Sequence, residues 1–167
     1  MGERNVGRMD FSIRPASVSD RTYIARLFFL TDVFGDETKP VSEFHTRDLP
    51  GYVDDWDPER DGGFMAFDQF SVPAGGIWLR YWSGPDAAGW ANLGPDIPEL
   101  AVAVESRYAG QGLSRRLLDD AVALARSQGA PAISLSVDKD NPRARHVYEK
   151  YGFEVVPSIE GAMQLKF

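Results

Sequence analysis

The chain contains no cysteine, which excludes disulfides, thiolate metal sites and a cysteine nucleophile. Two histidines, His45 and His146, are too few for a multi-histidine metal site, so no metal is expected. No apolar run approaches the roughly 18 residues needed to cross a bilayer. The opening residues, MGERNVGRMD, are polar and lack the apolar core of a secretory signal. Val6 stands where a myristoylation signal would want Ser or Thr. No membrane partner is expected, and a cytoplasmic location fits a chain without cysteine. Sixteen glycines and eleven prolines among 167 residues are too few for a low-complexity chain. Basic residues are also scarce: 18 Lys and Arg stand against 25 Asp and Glu, a net charge of −7. A general nucleic-acid binder needs clustered cations to neutralise phosphate, so nucleic acid is not an expected partner.

What is present is unevenly placed. Residues 97–167 balance nine basic against nine acidic residues. Residues 32–61 carry ten acids against Lys39, Arg47 and Arg60, so the whole excess lies in one thirty-residue stretch. That stretch reads either as a solvated loop or as a surface attracting a cation such as an amine.

A length of 167 residues fits one domain, with residues 1–10 as a disordered tail and residues 11–167 as the folded unit. Phe11–Arg14 alternates like a half-buried strand. Ser19–Asp20 can cap a helix with Ile24, Leu27, Phe28 and Thr31 on one face. Residues 35–61, broken by three prolines, read as mostly irregular with a helical turn or two. The aromatic runs 63–70 and 76–82, separated by Val72-Pro73-Ala74-Gly75, predict a hairpin. Its aromatics suit either the core or a homodimer interface. Residues 97–104 predict a buried strand, and residues 113–127 a helix with an apolar stripe stopped by Gly129. A strand over Ile133–Val137 follows. Asn141–Pro142 opens a second helix ending at Gly152, and two short strands close the chain. The order is β-α-loop-β-β-β-α-β-α-β-β, a mixed α/β domain on one sheet.

The buried strand runs through Glu105-Ser106-Arg107-Tyr108-Ala109-Gly110-Gln111-Gly112 directly into the long helix. Two glycines two apart let backbone amides face one concavity, and the helix N-terminus adds about half a positive charge. Together these favour a phosphate or pyrophosphate. A Walker loop fails for want of Lys, and a dinucleotide fingerprint fails because Arg115 stands where the third Gly belongs. Alone, the pair fits a tight turn equally well. Downstream lies Asn141-Pro142-x-Ala144-x-x-x-Tyr148-x-x-x-Gly152-Phe153.

Arg107-x-x-Gly110-x-Gly112 followed by this second segment closely resembles the GNAT superfamily of N-acetyltransferases, across roughly residues 97–156. The resemblance implies a single α/β (α+β) domain. Its sheet would be mixed and mostly antiparallel, of about six to seven strands, with a splayed central pair and flanking helices. It implies acetyl-CoA as acyl donor and cosubstrate, with an amine acceptor as the second partner. Val102, Ala103 and Val104 would pair with the pantetheine arm. Arg107, Tyr108, Ala109, Gly110, Gln111, Gly112, Leu113 and Ser114 would hold the pyrophosphate through main-chain amides. Asn141 serves as helix cap and would also touch the pantetheine. Two departures from the commonest family pattern are Ser106, where proline is usual, and Ala109, where Arg is frequent.

Tyr148 is the residue this resemblance places at the cofactor sulfur. It lies seven residues from Asn141, about 700° along a helix, so both share a face. Its phenol suits protonation of a departing thiolate; a core aromatic is the structural alternative. His146, about 200° from Tyr148, should face away. The resemblance implies Glu99, at the start of the cofactor-binding strand, as the general base acting through water; it could instead partner an arginine, and Glu105 is a weaker candidate.

The resulting expectation is direct acetyl transfer to a small-molecule primary amine, with residues 32–61 and 83–96 flanking the acceptor. Alternatives are acetylation of a protein or peptide N-terminus or lysine, a non-catalytic acyl-CoA-binding domain, or another phosphate-ligand binder.

Overall fold

The architecture is that of a computed structural model, which describes residues 10–85 and 87–167. The expected N-terminal tail lies outside these residues except for Asp10. Seven strands form one sheet in the order β1-β2-β3-β4-β5-β7-β6. They are β1 (Ser12–Pro15), β2 (Gly63–Phe67), β3 (Pro73–Arg80), β4 (Glu99–Val104), β5 (Ala132–Ser136), β6 (Glu154–Val155) and β7 (Ala162–Lys166). Every pairing is antiparallel except β4 with β5. The strand count and the mixed, mostly antiparallel sheet match the sequence expectation.

Two helices pack on each face. On one lie α1 (Arg21–Asp32) and α2 (Glu43–Leu49), on the other α3 (Leu113–Ser127) and α4 (Pro142–Tyr151). Ile24, Leu27 and Leu30 of α1 bury against Trp56, Met65, Trp78 and Trp82. Leu113, Leu117, Leu118, Ala121 and Ala125 of α3 bury against Ile77, Leu79, Ile133 and Leu135. These spacings are the helical period, and each fully buried Leu contributes about 1.5–3 kcal/mol. The sheet lies close beneath α1 because β3 carries Gly76. A Cβ there would sit 2.6 Å from Met65 Cε and 2.8 Å from Leu27 Cδ1.

Two expectations change. The hairpin turn comes earlier than the sequence suggested, at residues 68–72, and Pro73 already belongs to β3. The Asp68 carboxylate accepts from the amides of Phe70 and Val72 (2.8 and 2.9 Å), closing a side-chain turn that sequence spacing alone does not reveal. Most of the hairpin's large aromatics go to the core: Trp78 and Trp82 are buried, and only Phe70 at the turn is strongly exposed. The acidic stretch is also more ordered than expected. α2 leads directly into a π-helical turn over Pro50–Asp54, which buries Tyr52 and Val53.

The acids of that stretch are largely committed. Asp32, Asp36, Glu37, Asp48, Asp57 and Asp61 each hold backbone amides, hydroxyls or cations. Asp61 is fully buried and receives Arg80 Nη1 at 2.7 Å, the Tyr81 amide and Arg60. Arg80 in turn donates to the Gly51 carbonyl at 2.7 Å, so one buried pair pins the acidic segment to β3. Asp61→Asn leaves Arg80 buried without its charge partner. The expected cost is about 3–5 kcal/mol in a urea unfolding titration, whereas a loss below about 1 kcal/mol would contradict the pinning role.

Candidate active site

Strands β4 and β5 share a single register pair, Glu99 with Ser134. Two hydrogen bonds fix how β4 presents its peptide groups. The Glu105 amide donates to Ala74 O of β3, and the Ser134 amide donates to Pro98 O, both at 2.9 Å. Strand alternation then turns the peptide groups of Val102 and Val104 toward β5, beyond the point where the ladder stops. These groups, on half-buried residues, line an open fork. A linear amide-bearing ligand can replace the missing strand there.

The chain leaves β4 through a 3-10 turn at Ser106–Tyr108 and enters α3 at Leu113. Gly110 and Gly112 adopt φ of +78° and +77°. A Cβ at either would meet no protein atom within 4 Å, so the backbone conformation, and not a crowded neighbour, calls for glycine. No side chain caps α3, so its first amides remain open to an anion. The side chains of the turn do other work. Tyr108 is buried with its hydroxyl on Asp68, and Leu113 is core. Arg107 donates to Pro73 O at 2.7 Å and lies over the Tyr108 ring. Ala109, Gly110 and Gly112 are exposed, while Gln111 and Ser114 are half-buried. The cradle is therefore mainly backbone, which fits a pyrophosphate.

Asn141 caps α4: its Oδ1 accepts from the Ala144 amide at 3.3 Å. Asn141, Ala144, Tyr148 and Tyr151 form the half-buried stripe of α4, and His146 is exposed as its angle predicted. Tyr148 packs edge-on against Phe153. Its hydroxyl makes no hydrogen bond within the described residues, and burial pushes the phenol up to about 12.

Glu99 occupies the other end of β4, and the structure gives it a crowded setting. Its Oε2 accepts from Tyr52 Oη at 2.6 Å, and its Oε1 accepts from Trp82 Nε1 at 2.9 Å and the Ala91 amide at 3.2 Å. The residue is 3% exposed. Burial raises its pKa, while these donors and nearby Arg80 pull the other way. Three segments thus converge on one carboxylate: the π-helical turn, β3's exit and the loop at residues 87–91. Glu105 is also buried and is gripped by Arg26 Nε at 2.9 Å and Nη2 at 2.8 Å. Tyr23, beside it, has a buried hydroxyl with no partner among the described residues.

The model of the acetyltransferase (GNAT) family matches residues 30–153. The chain belongs to this family of acyltransferases. A mycothiol acetyltransferase of Nocardiopsis dassonvillei is 35% identical over 104 residues, covering 60% of this chain and 30% of that protein. The chain thus spans about a third of the length of such curated relatives. The GNAT fold is equally clear from solved structures. An N-acetyltransferase of Thermoplasma acidophilum, in complex with coenzyme A, superposes with a TM-score of 0.69 at 17% identity, covering 95% of this chain and all of that one. A GNAT acetyltransferase of Brucella melitensis in complex with acetyl-CoA gives 0.62 at 17% identity, covering 95% and 88%.

Sequence reasoning missed Tyr52, Trp82 and the 87–91 loop as partners of Glu99. Their separations, from 8 to 47 residues, leave no local signal. Gly112→Ala places an L-residue at positive φ, which costs about 1–2 kcal/mol without a clash. The expected result is a folded protein by circular dichroism whose affinity for coenzyme A, measured calorimetrically, falls about tenfold or more.

Proposed function

We propose that residues 11–167 form a catalytic unit that transfers an acetyl group from acetyl-CoA to the primary amine of a small molecule. The observation that carries this reading is the combination of three features. They are the unpaired peptide groups of Val102 and Val104, the amide-lined turn at Gly110–Gly112, and the unpartnered phenol of Tyr148. Coenzyme A complexes of proteins with this fold support the same cosubstrate. The departure of Ala109 from the family pattern leaves the backbone donors in place.

Acetyl-CoA supplies a thioester that the neutral amine attacks directly, through a tetrahedral intermediate, forming the C–N bond and releasing the C–S bond. The Val104 amide, fixed by β4, donates to the carbonyl oxygen as charge develops there. The phenol of Tyr148 gives its proton to the departing sulfur and regains one from solvent. The amine must shed a proton before it attacks, since a lysine-like amine has a pKa near 10.4. Glu99 is too enclosed to meet that proton directly. Tyr52 and Trp82 both donate to it, and of the two only the Tyr52 hydroxyl can also accept, so Glu99 would act through Tyr52; ordered water serves otherwise.

A small acceptor is favoured over a peptide by one observation. The two segments flanking the start of β4 are latched together, with Trp90 Nε1 on Asp48 at 2.8 Å and the Trp90 amide on Tyr52 Oη at 2.9 Å. Between them they leave a depression of about 320 Å³ lined by Arg47, Asp48, Ala88, Gly89 and Trp90, room for a small molecule.

Acetyl-CoA and CoA, but not ATP or NAD, should raise the melting temperature. At 100 times the dissociation constant the gain is about 2.7 kcal/mol. An equal shift with ATP would overturn the assignment. Tyr148→Phe should bind acetyl-CoA normally and lose about 100-fold in turnover at saturating acceptor. Because the phenol stays protonated until about pH 12, turnover should rise with pH as the amine deprotonates and show no falling limb below about pH 10. A falling limb there that Tyr148→Phe abolishes would mean a much lower phenol pKa.

A further inference from the structure

The latch between α2 and the 87–91 loop is built around a cation. Phe44 and Trp90 present their rings at 82° with centroids 5.4 Å apart. Arg47 lies over both, its Cζ 4.8 Å from the Phe44 centroid and 5.3 Å from that of Trp90. Asp48 closes the arrangement. It accepts from Arg47 Nε at 2.9 Å and Nη2 at 3.2 Å, and from Trp90 Nε1 at 2.8 Å. Two perpendicular aromatic faces and a carboxylate form a cage for a cationic group, and here the chain's own guanidinium occupies it.

The occupant is loosely held. The Arg47 side chain is 59% exposed, whereas that of Asp48 is 17% exposed. Its carboxylate partner is its own neighbour in sequence, and the remaining grip comes from two rings that are themselves 42% and 43% exposed. If Arg47 swings into solvent it remains solvated, while Asp48 and the rings keep their demand for a cation. A depression of about 320 Å³ lined by Arg47, Asp48, Ala88, Gly89 and Trp90 adjoins the cage. Through the Trp90 amide and Tyr52 the cage is two hydrogen bonds from Glu99, at the base of the fork.

We propose that this cage binds a second cationic group of the acceptor, an ammonium or guanidinium remote from the reacting amine, and that Arg47 is the internal competitor it displaces. The assignment rests on the amine-acetyltransferase reading. The cage cannot serve the reacting nitrogen itself, because attraction to ring faces and a carboxylate favours the protonated form, and only the neutral amine attacks. The acceptor class that follows is a diamine or an amine carrying a guanidinium.

The test is a titration of the CoA-bound protein with butane-1,4-diamine, butylamine and butan-1-ol, followed by the Trp90 indole N–H resonance. The diamine should shift that resonance saturably, butylamine more weakly, and the alcohol not at all. Arg47→Ala should tighten diamine binding about fivefold, while Asp48→Asn, and Trp90→Leu measured by calorimetry, should weaken it about tenfold. Phe44→Leu, at an exposed position, repeats the ring test should Trp90→Leu disturb the fold. Weaker diamine binding in Arg47→Ala, or equal shifts from amine and alcohol, would overturn the proposal. If acetyl-CoA stabilises the protein but the diamine does not bind, the cage alone is wrong. If acetyl-CoA gives no shift, the acetyltransferase reading falls and the cage assignment with it.

Discussion

Strands β4 and β5 run side by side in parallel and share the Glu99–Ser134 pair before they part. A parallel ladder that continued would satisfy the peptide groups of Val102 and Val104 and leave the sheet closed. Because it stops, half-buried polar backbone is left without a strand partner, and an extended amide-bearing ligand is the natural supply. The turn into α3 then lies directly beyond the fork, so one groove runs from unpaired strand to open helix amides. The proposed acetyl-CoA groove depends on that interruption.

The other side of the sheet shows what keeps the fork from collapsing. Three buried carboxylates, Glu99, Asp61 and Glu105, fasten the strands to segments distant in sequence. Glu99 gathers Tyr52, Trp82 and Ala91, while Asp61 gathers Arg80, Arg60 and Tyr81. Glu105 receives Arg26 from α1. Burying such groups is costly unless each oxygen has a donor, and here each does. The arrangement gives the acceptor side fixed walls of aromatic rings; among the described residues the buried side-chain polar atoms are engaged except Tyr23 Oη and His45 Nε2.

Much of the site was legible in sequence because its local rules are strict. A positive φ at Gly110 and Gly112 calls for glycine, and the cap at Asn141 followed by proline starts a helix wherever it occurs. The 3.6-residue period put Asn141 and Tyr148 on one face and His146 on another. The hairpin turn was misplaced by several residues because an Asp68 side chain, not the Pro–Ala–Gly run, closes it. The order in the acidic segment went unseen for a related reason. α2 and the π-helical turn have weak local propensity and are held by contacts with Trp90, Arg80 and Glu99.

The sequence by itself determined the order of the strands and of α1, α3 and α4, the core stripe of α3, and the glycine turn that leads from strand to helix, although Val147, on the apolar face expected of α4, is exposed. These depend on neighbours within a few residues, and periodicity records them. Tertiary structure alone decided the fate of the charges. It made Glu99 the centre of a buried network, and it gathered Phe44, Arg47, Asp48 and Trp90 into one cluster. The reason is physical: a carboxylate's role is set by burial and by which donors surround it. Those donors come from segments that meet only when the sheet closes.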